Sequence, residues 1–234
     1  MCGRFSVGRT MTLDDVGEGL AAFFNASREA GEAPSPARFN VAPGQLVPVI
    51  RPVGGGRSLC LQRWGFVFPW ARDPKEGPRP INARIETVAQ KPAFRAATKE
   101  ARCLVPADGF YEWRKLEGAR LPWYFALKDD DLFAFAGIVS RWEEAGSTPV
   151  ETFAILTTRA NEVVAPVHDR MPVMLASAEE RALWLAGAPT AEFETPLPAA
   201  ALTCRRVGER VNDVHNDDAR LIEPVPPDPQ RRLL

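Results

Sequence analysis

The most reactive arrangement in this sequence is at its start, where the chain reads MCGRF. If Met1 is removed, Cys2 carries a free α-amine and a thiol on adjacent carbon atoms, which no internal cysteine offers. An unperturbed α-amine has a pKa of about 8, so a useful fraction is neutral and nucleophilic at physiological pH. Such a 1,2-aminothiol is a candidate nucleophile if the rest of the sequence builds a site around it.

Three further stretches combine ionisable or amide groups with apolar flanks at predicted strand ends or turns, where functional residues tend to gather. They are INARIET (81–87), ADGFYEW (107–113) and PVHDRMPV (166–173). Aromatic neighbours are expected to desolvate the Glu112 carboxyl and raise its pKa, which suits a proton donor. Asn82 offers an amide donor and an acceptor, and His168 can transfer a proton or hold a phosphate. A turn-capping role for Asn82 and a hydrogen-bonded structural role for His168 remain open alternatives.

Taken in order, these stretches resemble the SRAP (SOS-response-associated peptidase) family. The matching motifs are MCGRF at the start, FNVAPGQ (39–45), RWGFVFPW (63–70), INARIET (81–87), RCLVPADGFYEW (102–113), LTTRAN (156–161) and VHDRMPV (167–173). The resemblance runs from residue 2 to about residue 224. The loop of three glycines, the region 177–200 and the proline-rich tail depart from the family pattern, and none of them holds a proposed site residue.

The resemblance implies a function, because members of this family crosslink themselves to abasic sites in single-stranded DNA as a thiazolidine at an N-terminal cysteine. It implies that Cys2 is the nucleophile and that Asn82, Glu112 and His168 complete the active site. The Cys2 amine would form an iminium with the sugar aldehyde, with Glu112 as the proton donor for loss of water, and the thiol would then close a five-membered ring onto the same carbon. Asn82 would orient the chain start or the sugar, and His168 would protonate the sugar oxygen or hold a phosphate. The residues expected near bound DNA are Arg4, Pro43, Trp64, Trp70, Arg84, Thr157 and Arg170. The implied partner is single-stranded DNA that contains abasic sites.

The aromatic residues of RWGFVFPW favour contact with unpaired bases, because base stacking on an aromatic face is worth about 1–3 kcal/mol and does not depend on sequence. Trp64 would share one strand face with Phe66 and Phe68, a pattern that equally indicates a core position. Arg4 and Arg84 are expected to bind phosphates. Glu86, two residues after Arg84, is expected to brace it.

Two other functions remain open. A thiol peptidase would use Cys2 with His168, acting on other peptides or only on its own Met1. A non-catalytic module would bind single strands without reacting. Turnover of peptides, binding without a mass change and one covalent adduct per chain distinguish the three possibilities.

The pattern of apolar runs predicts a single α+β domain, mainly antiparallel strands curled into a barrel-like core with a few peripheral helices. Strands are expected at 45–50, 58–68, 101–113, 122–128, 132–140, 151–158 and 172–176. Helices are expected at 12–24, where Thr12 and Asp15 would form a capping box, at 91–100, and at 177–187, with Ser177 and Glu180 as the box and Gly187 as the stop. The glycines of RPVGGGRS predict a hairpin loop. The domain is expected to span 2–224, followed by a disordered proline-rich tail at 225–234.

The bulk properties are those of a globular protein of 234 residues, with 45% hydrophobic and 25% charged residues. No secretory signal peptide is evident, and the longest apolar run, residues 132–139, is too short to cross a bilayer. We therefore expect a soluble, cytoplasmic monomer, associated with the nucleoid if bacterial, with no membrane partner.

Cysteines at 2, 60, 103 and 204 form no CxxC pair, and the chain has two histidines. This composition predicts no metal site, no cofactor and no disulfide framework, with the last three cysteines as buried apolar side chains. The segment 57–102 carries an excess of six positive charges, while the whole chain has a net charge of −1. That excess either forms a basic face for phosphates or is spread over the surface.

Overall fold

The computed structural model describes residues 2–8, 16–28, 36–129, 131–144 and 146–225. The described strands are β1 (Arg4–Val7), β2 (Ser27–Arg28), β3 (Arg38–Val41), β4 (Leu46–Val53), β5 (Gly56–Trp64), β6 (Asn82–Arg84), β7 (Arg102–Ala107), β8 (Gly109–Leu116), β9 (Ala119–Leu127), β10 (Phe133–Trp142), β11 (Val150–Arg159), β12 (Arg170–Pro172), β13 (Met174–Leu175) and β14 (Leu202–Arg206). The described helices are α1 (Val16–Phe24), α2 (Ile85–Val88), α3 (Pro92–Glu100) and α4 (Ala178–Leu185), with short 3₁₀ turns at Thr190–Phe193, Ala199–Ala201, Glu209–Asn212 and Ala219–Ile222.

Five strands close into a barrel in the order β5, β4, β7, β10 and β11, because β11 also pairs with β5 in parallel. The long apolar runs form these strands, and closing the sheet into a barrel leaves none of the five with an exposed edge. Strand β10 is buried along nearly its whole length. The predicted α+β class with a barrel-like antiparallel core is confirmed.

A second sheet of order β14-β9-β8-β1-β3 lies against this barrel. Strand β1 joins the two layers, because the ring of Phe5 lies 5.3 Å from that of Trp64 and 5.6 Å from that of Phe135. Residues before and after Phe5 are therefore held at the junction of the two sheets, and this junction positions the site described below.

Several local predictions are confirmed. The hydroxyl of Ser177 accepts from the N–H of Glu180 and the carboxylate of Glu180 accepts in return, which completes the capping box of α4. Gly187 follows that helix with a φ of +88°, the left-handed conformation that glycine adopts easily. The glycine loop is a hairpin turn between β4 and β5. The predicted capping box of Thr12 and Asp15 lies outside the described residues, as does the tail from 226 onward.

Other local predictions are wrong in part. The strand predicted at 58–68 ends at Trp64, because the chain turns at Gly65 with a φ of +131°. Trp64, Phe66 and Phe68 are therefore not neighbours on one strand face. The run 101–113 is two strands that are interrupted at Asp108.

The cysteines follow the prediction except for one. Cys60 and Cys103 are buried, whereas Cys204 is exposed. Cys204 lies on β14, the outer strand of the second sheet, and such an edge strand is covered on fewer sides than a central one. No helix within the described residues has the length and apolar composition needed to cross a membrane.

Candidate active site

Four separate parts of the chain bring the predicted catalytic residues together at the junction of the two sheets. Strand β1 pairs with β8 so that Arg4 lies opposite Tyr111, which places Cys2 near Glu112. Asn82 begins β6, which pairs in parallel with β11. His168 comes just before β12, which pairs with the other edge of β11. The fold thus assembles a site from residues up to 166 positions apart in the sequence.

Cys2 is buried and has polar neighbours on both sides. The Nδ2 amide of Asn82 donates a 2.8 Å hydrogen bond to the Cys2 carbonyl oxygen. The Cys2 thiol lies 3.7 Å from the carbonyl oxygen of Arg4. Burial raises the pKa of this thiol far above its usual range, and the Glu112 carboxyl, whenever it is ionised, raises it further. The sulfur is therefore a neutral S–H group at physiological pH.

Asn82 has a second polar atom that points into the site. Its Oδ1 is buried and has no hydrogen-bond partner among the described residues. A buried amide oxygen without a partner is costly and rare in native proteins. A donor on a bound substrate, or the amine of a processed Cys2, would satisfy it.

The Glu112 carboxyl is only 3% exposed. Burial raises its pKa, and nearby positive charge opposes part of that rise. The direction predicted from the aromatic neighbours is confirmed. A carboxyl in this environment can stay protonated at higher pH than an exposed one and can donate a proton to a leaving hydroxyl.

The ring of His168 is held by the chain that follows it. Its Nδ1 lies 3.0 Å from the backbone N–H of Arg170 and 2.9 Å from a carboxylate oxygen of Asp169. A backbone N–H only donates, so it makes Nδ1 an acceptor and leaves the proton of the neutral ring on Nε2. The Asp169 contact would instead need a proton on Nδ1. The amide is fixed by the backbone and Asp169 is 82% exposed, so the amide decides the tautomer.

A pocket of about 620 Å³ opens beside these residues. It is lined by Gly3, Arg4, Pro43, Glu112, Trp113, Lys115, Arg120, His168 and Asn212. Two of the predicted catalytic residues and two of the predicted DNA contacts, Arg4 and Pro43, thus border one cavity. Three cationic side chains and an aromatic ring border the same space, and this combination suits a polyanion with planar bases.

Arg4 is fixed in place at this pocket. Its Nη1 donates to Asn40 Oδ1 at 2.8 Å and to the Val211 carbonyl at 2.7 Å. Its guanidinium also lies 6.0 Å from the centre of the Trp113 ring. These neutral hydrogen-bond partners orient the cation, which also lies within the electrostatic influence of Asp213. A guanidinium held in this way can bind a phosphate.

Two residues predicted near DNA are buried in the protein interior. Trp64 is 1% exposed, and its Nε1 donates to the Ile81 carbonyl at 2.9 Å. Its ring stacks on that of Phe153. Thr157 is fully buried on β11. Neither side chain offers a surface to DNA in this structure, because the apolar run that carries each of them supplies the core.

Arg170 is held by partners within the protein. Its two terminal nitrogens donate to the two carboxylate oxygens of Glu86 at 2.7 and 2.8 Å, and Nη2 donates to the Thr157 carbonyl at 2.6 Å. The main partner of Glu86 is therefore Arg170, and the prediction that Glu86 braces Arg84 is wrong. Arg84 is exposed, and it lies on the same face of β6 as Asn82, two residues earlier.

Trp70 lies at a second cavity, of about 470 Å³, formed by the loop between β5 and β6. The Trp70 side chain is 63% exposed and stacks on Phe68 with ring centres 5.2 Å apart. Arg72 and Arg79 line the same cavity. The side chain is accessible to a base, as stacking requires.

The basic segment 57–102 does not form one face. Arg57 donates to the Phe24 carbonyl, and Arg102 is buried beside α4, where it donates to the Ala188 carbonyl at 2.7 Å. Arg72 and Arg79 lie instead at the cavity beside Trp70. The charge excess is therefore divided between separate places, as in the spread alternative.

Sequence reasoning missed four residues of the pocket: Trp113, Lys115, Arg120 and Asn212. Trp113 Nε1 donates to Asn212 Oδ1 at 2.7 Å across 99 positions of sequence, which only the folded chain reveals. Lys115 and Arg120 had a signal, since Glu117 and Gly118 form a turn that makes the two cations face each other. Within the described residues, no group of three His, Cys, Asp or Glu side chains is arranged to hold a metal ion.

Comparison with known proteins gives concordant similarities. The model of the family described as SOS response associated peptidase (SRAP) matches residues 1–214. The abasic site processing protein YoqW of Bacillus subtilis is 37% identical over 229 residues, which cover 95% of this chain and 99% of that protein. The abasic site processing protein YedK of Escherichia coli is 31% identical over 232 residues, covering 96% and 100%. A crystal structure of a Bacteroides thetaiotaomicron protein has the same fold, with a TM-score of 0.81, 23% identity and coverage of 96% and 100%.

Proposed function

The chain belongs to the SOS response associated peptidase (SRAP) family, and from this premise we propose that it processes abasic sites in single-stranded DNA by becoming covalently attached to them. The attachment forms through Cys2 after removal of Met1, as a thiazolidine. The observation that carries the proposal is the convergence of Cys2, Asn82 and Glu112 beside a pocket lined with cations.

The reaction begins with the amine. The neutral α-amine of Cys2 attacks C1′ of the ring-opened sugar, and one of its protons passes to the former carbonyl oxygen to give a carbinolamine. The protonated Glu112 carboxyl then donates its proton to that hydroxyl, which leaves as water, and an iminium remains. The raised pKa of Glu112 supports this role, because an ordinary glutamate would hold almost no proton at neutral pH.

The thiol completes the ring. The Cys2 sulfur forms a bond to the iminium carbon, and its proton passes to the Glu112 carboxylate, which restores the acid. The thiol and the iminium belong to one residue, so their effective concentration is high and closure outruns β-elimination of the strand. The neutral state of the thiol fits this order of events, because the proton is released only as the bond forms.

The other residues of the site hold the reactants. Asn82 fixes the Cys2 carbonyl, and its buried Oδ1 is available to the α-amine. His168, with its Nε2–H directed by the backbone contact at Nδ1, serves as a donor to the sugar oxygen or to a phosphate. Arg4 and Arg84 bind flanking phosphates, and Trp70 stacks on an unpaired base. One adduct forms per chain, and the chain acts as a monomer.

A thiol peptidase is a poorer fit to this site. Such enzymes depend on a thiolate, which is produced when a neighbouring cation lowers the pKa of the cysteine. Burial and Glu112 act in the opposite direction on Cys2. We therefore place any peptidase activity outside the principal function.

The test is the intact mass of the protein before and after mixing with a single strand that contains one abasic site. We expect the mass of the chain without Met1, and then one adduct of protein and DNA with loss of one water. The Cys2→Ala variant is expected to leave no stable adduct and to cleave the strand slowly, because its amine still forms an iminium. Cys204→Ala is the matched control, since that thiol is exposed and far along the chain, and it should crosslink as the wild type does.

The proposal fails if the Cys2→Ala protein gives the same stable adduct, or if the adduct retains Met1. An adduct with undamaged DNA would also contradict it, because the proposed chemistry needs an aldehyde.

A further inference from the structure

Lys115 and Arg120 face each other directly across the hairpin of β8 and β9, at the rim of the pocket. We call them the cationic rung. Both side chains are exposed. Like charges directly opposite in an antiparallel pair repel and destabilise it. Among the described residues, neither cation has an ion pair with an acid.

The fold itself does not require this pair. The hairpin is fixed by its two-residue turn at Glu117–Gly118, where both residues have positive φ, and by the seven cross-strand positions from Phe110 to Leu116. An opposite-charge pair at the same rung would hold the strands together better. The fold does not need the repulsion between Lys115 and Arg120, and no acid among the described residues neutralises it. An anion from outside the chain would do so.

The surroundings of the rung fit a nucleotide strand better than a free anion. Trp113 lies two residues before Lys115 on the same strand face, and the Arg120 guanidinium is 6.0 Å from the centre of its ring. Asn212 holds the edge of the ring by a 2.7 Å hydrogen bond. A fixed aromatic surface next to two cations matches the alternation of base and phosphate along a single strand.

We infer that the cationic rung binds one backbone phosphate of the DNA strand flanking the damaged nucleotide, so that the ligand extends past the reaction pocket along the β8–β9 hairpin. This inference rests on the proposed DNA function. Side chains on directly opposite residues start about 5 Å apart, so both cations reach one phosphate group. Arg120 supplies a fork of N–H donors and Lys115 a compact charge. A phosphate contact carries no base information, so the binding is independent of sequence.

The first test separates binding from folding by reversing one charge. In Lys115→Glu, the new carboxylate lies opposite Arg120 and forms an attractive pair. We expect Tm to stay the same or to rise by about 1–3 °C, while affinity for an undamaged single strand falls by about tenfold or more at low salt. If Lys115 contributed only to folding, the substitution would change Tm and the affinity for the strand in the same direction.

The second test measures the salt dependence of binding to the same undamaged oligonucleotide. Each phosphate neutralised on a single strand contributes about 0.7 to the slope of log affinity against log salt. The double variant Lys115→Gln/Arg120→Gln is expected to lose about 0.7 from that slope, for strands of any sequence. Lys99→Gln, an exposed cation of α3 remote from the pocket lining, should retain the wild-type slope.

The inference is overturned if the double variant keeps the wild-type affinity and slope, or if Lys115→Glu loses affinity together with Tm. It is also overturned if the wild type does not bind the undamaged strand at low salt. The assay contains no aldehyde, so its outcome is separate from that of the crosslinking test. A wild-type protein that binds the strand but forms no adduct would contradict the proposed chemistry and would still support the phosphate contact at the cationic rung.

Discussion

At the scale of single residues, the site is organised around groups kept in their neutral forms. Burial disfavours charge. It therefore keeps the Cys2 thiol protonated and favours the protonated form of the Glu112 carboxyl beside it. Asn82 holds the backbone beside these two groups through its 2.8 Å bond to the Cys2 carbonyl. The proposed reaction thus depends on a carboxyl that burial makes costly to ionise in the folded state.

That cost makes a prediction for Glu112→Gln. An acid whose folded-state pKa is raised disfavours folding above that pKa, and the penalty disappears below the unfolded value of about 4.3. We therefore expect the variant to have a higher Tm than the wild type at pH 7, with the difference vanishing near pH 4. Crosslinking should slow by about 10²–10⁴-fold, the usual contribution of a general acid.

The matched control is Glu117→Gln, an exposed glutamate at the hairpin turn, which should change neither quantity appreciably. Thermal unfolding at several pH values and the rate of adduct formation are the two measurements. A Glu112→Gln protein that is less stable than the wild type at pH 7 would contradict this account.

At the scale of elements, the pairing of β1 with β8 decides whether Cys2 meets Glu112. A buried cluster fastens that pair: the Ser6 hydroxyl donates to the Asp108 carboxylate and lies 2.8 Å from the Tyr124 hydroxyl. Gly109 lies opposite Ser6 and leaves room for Tyr124. The interruption between β7 and β8 is therefore a structural feature of the site, because it turns the carboxylate of Asp108 inward at the joint between the two strands.

Gly109→Ala tests this joint. A Cβ at position 109 would lie 2.0 Å from the Tyr124 hydroxyl oxygen and 2.1 Å from the ring carbon that carries it, so the ring must move. We expect a loss of about 2–4 kcal/mol in the free energy of unfolding, measured by urea denaturation. Adduct formation should also slow, since β1 shifts relative to β8.

Gly56→Ala provides the comparison. Its Cβ would meet only the Val53 carbonyl, at 3.7 Å, which is an ordinary contact. That variant is expected to unfold within about 1 kcal/mol of the wild type. Equal destabilisation by both substitutions would show that the cluster around Tyr124 is not a tight joint.

At the scale of the whole molecule, the pocket is bordered both by Arg4, near the start of the described chain, and by the segment after residue 208, near its end. Nδ2 of Asn40 donates to the carbonyl oxygens of Asp213 and Asn216 at 3.0 and 2.7 Å, while its Oδ1 accepts from Arg4. The Asp217 carboxylate accepts the backbone N–H of Asn40 at 2.9 Å and also binds Arg38. The segment after residue 208 is thus a wall of the site and an orienting support for Arg4.

Asp217→Asn is expected to loosen that wall. The substitution removes the charge from an acceptor of several hydrogen bonds, and we expect a loss of about 2–3 kcal/mol in the free energy of unfolding. Amide hydrogen exchange should rise across 209–222, and affinity for single-stranded DNA should fall because Arg4 loses part of its support.

Asp218→Asn is the neighbouring control, since Asp218 pairs with Arg210 and Arg220 at the surface. Surface ion pairs contribute little to stability. Exchange that rises equally in both variants would contradict a specific role for Asp217.

Local patterns in the sequence were enough to predict most of the elements and to suggest the proposed chemistry. The aminothiol at Cys2, the aromatic surroundings of Glu112, the capping box of α4 and the apolar runs of the barrel are such patterns, and they are set by residue type and spacing. The order of the motifs indicated the family, and the apolar runs together with that resemblance predicted the α+β barrel class.

Which of the matching residues reach the pocket is visible only in the folded chain. Trp64 and Thr157 lie in runs that become the barrel wall, and Glu86 pairs with Arg170 because β6 and β12 flank β11. Trp113 and Asn212 meet across 99 positions. Such pairings depend on strand order and register, which the sum of many weak long-range contacts fixes, and no short stretch of sequence carries that information.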